Sequence, residues 1–347
     1  MRFLIYKPDG IGDFILATGC IRLLAAEVGE ENLTLCVRDQ LAELASTQFP
    51  HATIVSLPLA TKRKVINLFA VNFTNCLPVW LRIRRMRVDA ALSLRSMRDY
   101  LDSFLFFSAA TQRIIAPENL LCRSRRKPRL FVEWLVKILR RPEILPYPEA
   151  RPGVPSELEC NRLVVSKALH RDIPPDAIVP TLHSTIHASE PCWVCCPLSS
   201  TEKKDYPFES WREVFQQIAS RHATPAIFLV GMESQRAKLE AFRELLQDIP
   251  VSVRVEIPAD LSAFVNLLAG ASMVFTVDTA ASHIACALDR PCLVLFSGQN
   301  QGMFGPWTRS AKQSWLLPEY PGGKKKGKWH RALSPDRAAA EALKLLA

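Results

Sequence analysis

The sequence predicts a chain of two α/β domains built on parallel sheets, and three observations carry that expectation. Apolar, strand-like runs alternate with helical segments from end to end, the pattern of parallel sheets covered on both faces. A stretch at 141–158, RPEILPYPEARPGVPSEL, divides the alternation in two. Its five prolines predict an extended connection without regular structure. The length of 347 residues, 48% of them hydrophobic, suffices for two cores of ordinary size.

The first half opens with a short strand, RFLIYK at 2–7. The turn Pro8–Asp13 follows, then an amphipathic helix from Phe14 with apolar residues at 14, 15, 16, 20, 21, 23 and 24. Gly10 and Gly12 allow tight backbone geometry there, and Asp13 falls near the helix start. GIGDFI lacks the third glycine of the dinucleotide fingerprint, and no matching acidic residue follows. By spacing alone, Asp13 reads as a helix-start residue before it reads as a catalyst. Strands at 33–37 and 52–57 flank a helix near 39–47, and a strand at 89–94 precedes a helix at 98–110. Residues 157–170 read as a helix, after which prolines 174, 175 and 180 lead to the second half.

The second half begins with WVCCPLSS, a strand that runs into the polar loop 199–207. A helix at 208–221, a strand at 226–230 ending at Gly231, and a helix at 233–247 that begins with Glu233 and Gln235 follow. A strand at 251–256 leads to Asp260, which caps a helix over 261–269. The most informative stretch is 272–296, SMVFTVDTAASHIACALDRPCLVLF. It reads as a buried strand, the capping pair Asp278-Thr279, an alanine-rich helix stopped by Asp289-Arg290-Pro291, and a second buried strand. A glycine-rich loop, a basic loop (GGKKKGKWH) and a last helix from Ser334-Pro335 to Ala347 complete the chain.

In a strand–turn–helix unit, free backbone N–H groups and the helix dipole form an anion site at the carboxyl edge of the sheet. Asp278, Thr279, Ser282 and His283 are the polar groups at that edge, on a helix that is otherwise apolar. The pattern is met both by a ligand site and by a capped helix carrying a core histidine. Two halves of this kind define a cleft, and ligands of open parallel sheets bind outside the carboxyl ends of the strands.

Composition narrows the function classes. Ten cysteines, Cys195-Cys196 among them inside an apolar, strand-like run, read as reduced core residues of a cytosolic protein. The N-terminus has no signal-peptide pattern, and the best membrane-span candidate, 65–82, is broken by three asparagines and a proline. The net charge of +10 is clustered at Lys62–Lys64, Arg82–Arg87 and Arg123–Arg129. The last cluster leads into LFVEWLVKILRR, with Phe131, Trp134, Leu135, Ile138 and Leu139 on one helical face. Basic amphipathic segments suit anionic membrane surfaces or phosphorylated partners, and a solvated basic face has the same pattern. Nucleic acid is disfavoured, because no helix-turn-helix, zinc or stacking-aromatic signature accompanies the charge.

Three ordered pieces resemble glycosyltransferase family 9, the heptosyltransferase type, of GT-B architecture. They are RFLIYKPDGIGDFILATGCIRLL, SSTEKKDYPFESW and VDTAASHIACALDRPCLVLFSGQNQGMFGP. The resemblance implies two Rossmann-like domains facing each other across a cleft. Residues 1–186 would bind the acceptor and 187–347 the nucleotide sugar, with the final helix, 334–347, free to pack back on the first domain. It implies inverting, metal-independent transfer of a sugar, usually from ADP-heptose, to a lipopolysaccharide-type acceptor, with no cofactor besides the donor. Asp13 matches the family's general base; Ser199, Ser200 and Lys204 fall where the donor phosphates bind. Asp278, Thr279 and His283 match the VDT-x-x-SH donor motif, within which Ala280 stands where the family usually has glycine. Glu233 is the candidate nucleoside contact, though no acidic residue matches cleanly and Gln235 is equally near. On the acceptor side the candidates are Gly12, Lys62, Arg63 and Lys64. The basic region is interrupted differently from the family's, so another glycan acceptor stays open. The setting implied is the inner face of the cytoplasmic membrane, with a phosphorylated glycolipid and an anionic surface as partners. The alternative is a catalytically silent sugar-nucleotide or glycan-binding relative.

The chemistry fits these residue types. Inverting transfer needs a carboxylate to take the acceptor hydroxyl's proton, worth roughly 10²–10⁴-fold. An aspartate near a helix N-terminus is favoured as the anion, so position rather than a raised pKa is expected to matter for Asp13. The leaving diphosphate gains charge and needs preorganised stabilisation. The chain has no DxD motif, and Lys204, with Lys203 beside it and the helix start at 279–282, would supply positive potential without a metal.

Overall fold

The computed structural model describes residues 1–59, 65–98, 105–107, 109, 111, 113–120, 138–184, 191–319 and 329–347, and side chains for all of these except 65–73. The chain divides into two compact units. One comprises Met1–Pro180 with Gly302–Phe304; the other comprises Thr181–Gln301 with Gly305–Ala347. The boundary expected after residue 186 falls among residues that are not described.

The first unit is built on six parallel strands: β1 (Phe3–Tyr6), β2 (Leu33–Arg38), β3 (Thr53–Leu57), β4 (Ala90–Ser93), β5 (Arg113–Pro117) and β6 (Glu143–Leu145). Their order across the sheet is β3-β2-β1-β4-β5-β6. FLIY is buried at every position because β1 lies in the middle of the sheet, with Ile5 opposite Leu35 on one side and Leu92 on the other. The helices are α1 (Ile11–Val28), α2 (Asp39–Gln48), α3 (Val65–Arg85) and α4 (Ser156–Leu169). Tyr6, Val55, Leu57, Phe106, Phe107 and Ile114 belong to one core cluster. Gly19 of α1 permits a close backbone approach, since a Cβ there would run into the carbonyl group of Ile178.

The second unit repeats this plan. Its strands are β7 (Cys192–Cys196), β8 (Ala226–Val230), β9 (Val253–Glu256), β10 (Met273–Val277), β11 (Cys292–Leu295) and β12 (Gln313–Leu316). All pair in parallel, in the order β12-β11-β10-β7-β8-β9. Counted from its own first strand this is the order 3-2-1-4-5-6, the same as in the first unit and the Rossmann arrangement. Its helices are α5 (Phe208–Ala219), α6 (Arg236–Leu245), α7 (Leu261–Gly270), α8 (Ala280–Ala287) and α9 (Pro335–Leu346). An aromatic core of Trp193, Trp211, Phe215 and Phe275 also takes in Ala338, Ala339 and Ala342 of α9, so the final helix is part of this unit.

Several expectations are corrected. The first helix starts at Ile11 rather than Phe14, which puts Gly12 and Asp13 inside its first turn. The proline-rich stretch is not wholly irregular. Glu143–Leu145 pairs with β5 as the outermost strand, where flanking prolines remove few sheet hydrogen bonds. Strands β5 and β12 were not expected. Of the helix expected at 98–110, residues 105–107 are described and helical; of LFVEWLVKILRR, only 138–141 are described. Lys62–Lys64, Arg123–Arg129 and the basic loop at 322–328 lie outside the described residues. No described helix is long and apolar enough to cross a membrane. Nine cysteines among the described residues are free and buried.

Candidate functional site

In a sheet of this order the chain reverses direction between the two central strands, which leaves a crevice at their carboxyl ends. In the first unit that point lies between β1 and β4, and a buried ionic cluster occupies it. Lys7, the residue after β1, is 1% exposed, and its Nζ donates to the Leu94 carbonyl (2.5 Å) beyond β4 and to Glu157 Oε1 (2.7 Å) at the start of α4. Asp9 Oδ2 lies 3.2 Å from the same Nζ, and the Ser96 hydroxyl donates to Glu157 Oε2 (3.2 Å). Burial works against the Lys7 charge, but Asp9 and Glu157 outweigh it and hold the ammonium above its usual pKa.

Asp13 stands in the first turn of α1 beside this cluster. Its side chain keeps some exposure, yet burial pushes its pKa up to about 7; Lys7 opposes the shift, while Asp9 and Glu157 add to it. The expectation that the helix start would keep Asp13 an ordinary anion is therefore overturned. The backbone hydrogen bond at Gly10 does favour the anion, but desolvation is larger. A carboxyl tuned to neutrality is suited to accepting a proton at physiological pH.

In the second unit the corresponding point lies between β7 and β10, and Lys204 and Asp278 meet there. Lys204 Nζ is 2.7 Å from Asp278 Oδ2, with the lysine 17% and the aspartate 6% exposed. Lys204 comes from a single 3₁₀ turn, Glu202–Lys204, in the loop after β7, and Asp278 follows β10 directly. The loop is braced from within: Ser199 N–H donates to Asp205 Oδ1 (2.7 Å) and the Ser199 hydroxyl to the Thr201 carbonyl (2.6 Å). Trp329 Nε1 donates to the Lys203 carbonyl (3.0 Å), fixing the lysine turn from the C-terminal segment. Ser200 is exposed at the tip.

Thr279 caps α8, its hydroxyl accepting from Ala281 N–H (3.2 Å), and Ala280 is the first residue of the helix. The Ser282 hydroxyl turns back to the Thr279 carbonyl (2.6 Å) and is wholly buried. His283 is 5% exposed; Trp307 Nε1 donates to its Nδ1 (2.9 Å), and burial pushes its pKa down to about 4. Asp278 acts on the imidazole in the raising direction and Lys204 in the lowering one, so these three side chains share one electrostatic environment.

Other candidates fall elsewhere. Glu233 is 71% exposed and pairs with the Arg236 guanidinium (2.8 Å and 2.9 Å), which holds its carboxyl below the usual range. Gln235 turns towards the lysine loop instead, donating to the Ser199 carbonyl (3.3 Å). Lys7, Glu157 and Trp307 were missed by sequence reasoning. The available signal for Lys7 was a charged residue closing an otherwise apolar strand. Nothing local joins it to a glutamate 150 positions away.

Doubly wound parallel sheets with charged side chains at their switch points define a nucleotide- or anion-binding class of α/β protein. Within that class, the family model described as glycosyltransferase family 9 (heptosyltransferase) matches residues 157–331, and the chain belongs to that family. Among curated proteins it is similar to lipopolysaccharide heptosyltransferase 1 of Salmonella typhimurium, 26% identical over 129 residues. That alignment spans 37% of this chain and only 39% of the relative's length. The Pseudomonas aeruginosa protein of the same name is 31% identical over 107 residues, which is 31% of this chain and 29% of that protein. Among solved structures, the fold is similar to that of Escherichia coli heptosyltransferase WaaC with ADP. The TM-score is 0.73 at 17% identity, covering 99% of this chain and 100% of that one. The GT-B fold class of such structures is shared.

Proposed function

We propose that this chain is an inverting glycosyltransferase that moves a sugar, heptose from ADP-heptose, onto a phosphorylated glycolipid acceptor of the lipopolysaccharide-core type. The observation that carries the reading is the Lys204–Asp278 pair beside the start of α8, at the switch point of the second sheet. It agrees with the heptosyltransferase names of the relatives and with the ADP bound in one structural neighbour.

In this mechanism the acceptor hydroxyl loses its proton to Asp13 as its oxygen attacks the anomeric carbon. The bond from that carbon to the diphosphate oxygen breaks on the opposite face, which inverts the configuration. The electron pair leaves with the diphosphate. Lys204 and the free N–H groups at the start of α8 meet the growing negative charge, so no metal is required for that step. Ser199, Ser200, Thr279, Ala280 and His283 line the donor phosphates, and Asp278 orients Lys204. Gly12 and the Lys62–Lys64 cluster serve the acceptor. Gln235 rather than Glu233 is the residue after Gly231 that turns towards the donor loop. The basic end of α3 holds the protein peripherally at an anionic membrane surface.

The test is thermal unfolding with ADP, UDP or GDP, each with magnesium or with EDTA, on wild type and Lys204→Ala. A ligand at a hundred times its Kd adds about 2.7 kcal/mol to the native state. The expected result is an ADP shift that survives EDTA and is lost in the lysine variant. A shift with UDP or GDP alone would replace the donor. No shift with any nucleotide would transfer the reading to a silent relative, which the alanine at position 280 would then explain.

A further inference from the structure

The contact between His283 and Trp307 has a chemical consequence that the motif does not contain. An indole Nε1–H only donates, so the imidazole Nδ1 that receives it must present its lone pair. The proton of the neutral ring then resides on Nε2. The two rings lie nearly parallel, 13° apart, with centroids separated by 6.1 Å, and Trp315 flanks the imidazole at 5.7 Å. Trp307 is itself 2% exposed, so its N–H has no water to turn to.

The segment that brings Trp307 here is held against the far end of α8. Arg309 donates from its guanidinium to the Ala287 carbonyl (3.0 Å), and Gln313 Nε2 donates to the Cys286 carbonyl (3.1 Å). Gly305 makes room for the edge of the Trp315 ring, which a Cβ would meet at 2.8 Å. Trp307 and its imidazole are thus fixed to the same helix. Asp278, after β10, and Lys204, from the turn after β7, are the charged groups acting on the ring among the described residues. Nothing among those residues accepts a hydrogen bond from His283 Nε2, although the side chain is nineteen-twentieths buried.

We propose that Trp307 is a positioning residue for the ligand site at the start of α8. Its indole N–H fixes His283 as the neutral Nε2–H tautomer, so the imidazole can only donate a hydrogen bond, to an oxygen of a nucleoside diphosphate. The ligand named rests on the function proposed above. The tautomer lock rests on the Trp307 contact alone. The lowered imidazole pKa agrees with it, because a proton on Nδ1 would oppose the indole N–H. Lys204 then supplies the positive charge of this site, while the histidine supplies a donor whose state does not vary with pH above about 5.

Nitrogen-15 NMR of the full-length protein labelled at histidine tests the lock between pH 5 and 8. The His283 signal is assigned by its loss in His283→Gln. Wild type should show one fixed tautomer, protonated at Nε2, across that range. Trp307→Phe keeps an aromatic ring but removes the donor, and should give exchange-averaged ring nitrogens that titrate at higher pH.

ADP affinity, measured by calorimetry, gives the second readout. At pH 8, Trp307→Phe should weaken ADP about twofold, because the freed neutral imidazole carries its proton on Nε2 only part of the time. The deficit should shrink towards pH 5 as the freed imidazole gains a proton and regains its Nε2 donor. In the His283→Gln background the tryptophan change should leave ADP affinity unaltered, because the glutamine amide has no tautomer to fix. A wild-type ring protonated at Nδ1 overturns the proposal. So does an equal loss of affinity on removing Trp307 in both backgrounds, which would make the indole a packing element only. A fixed Nε2–H tautomer in a protein that binds no ADP would uphold the lock while overturning the named ligand and the proposed function.

Discussion

Asp13 shows how far one residue's chemistry depends on its surroundings. Its folded pKa of about 7 lies above the ordinary carboxylate value, so the native state binds its proton more tightly than the unfolded chain does. The stability this contributes is fully present below about pH 4 and is lost as pH rises through about 7. Asp13→Asn should therefore raise Tm at pH 8, by about 2–4 °C for each kcal/mol relieved, and change it little at pH 4. In the proposed reaction the same substitution should lower kcat by about 10²–10⁴-fold, and wild-type activity should climb with pH through 7. Scanning calorimetry and a pH–rate profile check the two halves of that prediction. Lys7→Ala should be worse for folding than its single charge suggests. It leaves Glu157, 3% exposed, without the ammonium it bonds, and breaking a buried pair costs about 3–5 kcal/mol in urea unfolding.

At the scale of elements, caps and close approaches decide where the helices start and how they sit. Asp260 accepts from Ala263 N–H (2.7 Å) and Ser334 from Arg337 N–H (3.3 Å), both at helix starts that the sequence announces. Asp260→Ala should cost about 1 kcal/mol of stability by denaturant titration, with no change in ADP affinity. Gly19→Ala should cost considerably more. Helix propensity alone would favour alanine there, but the added Cβ meets backbone of the segment around Ile178, which has no flexible end to move aside. Circular dichroism of that variant should show a lowered Tm rather than extra helix stability. Buried strands such as MVFTV were readable because an apolar run between turn residues has few other uses. QSWL and EIL were not, since short outer strands carry mixed residues and take their conformation from the neighbour they pair with.

For the whole molecule, charge is the property with the longest reach. The +10 excess includes Arg82, Arg84 and Arg85 at the end of α3, next to Leu77 and Leu81, which are 41% and 40% exposed. Arginines beside exposed leucines suit an anionic lipid surface, where each cation contributes about 1 kcal/mol and salt screens the attraction. Sedimentation with vesicles containing phosphatidylserine should show binding that falls as ionic strength rises. Replacing the three arginines with glutamine should weaken it without lowering Tm. Binding that ignores salt would remove the electrostatic account.

The amino-acid sequence by itself determined the two doubly wound halves, most helix starts and the family motifs. Periodicity, capping and motif spacing are local properties, written within a few residues of one another. Tertiary structure alone decided which charges meet. Lys204 and Asp278 are 74 positions apart, Lys7 and Glu157 are 150 apart, and Trp307 lies 24 residues beyond His283. It also decided the proton affinities of Asp13 and His283. Those depend on how much water the fold removes and on charges carried by distant segments, and no stretch of sequence states either one.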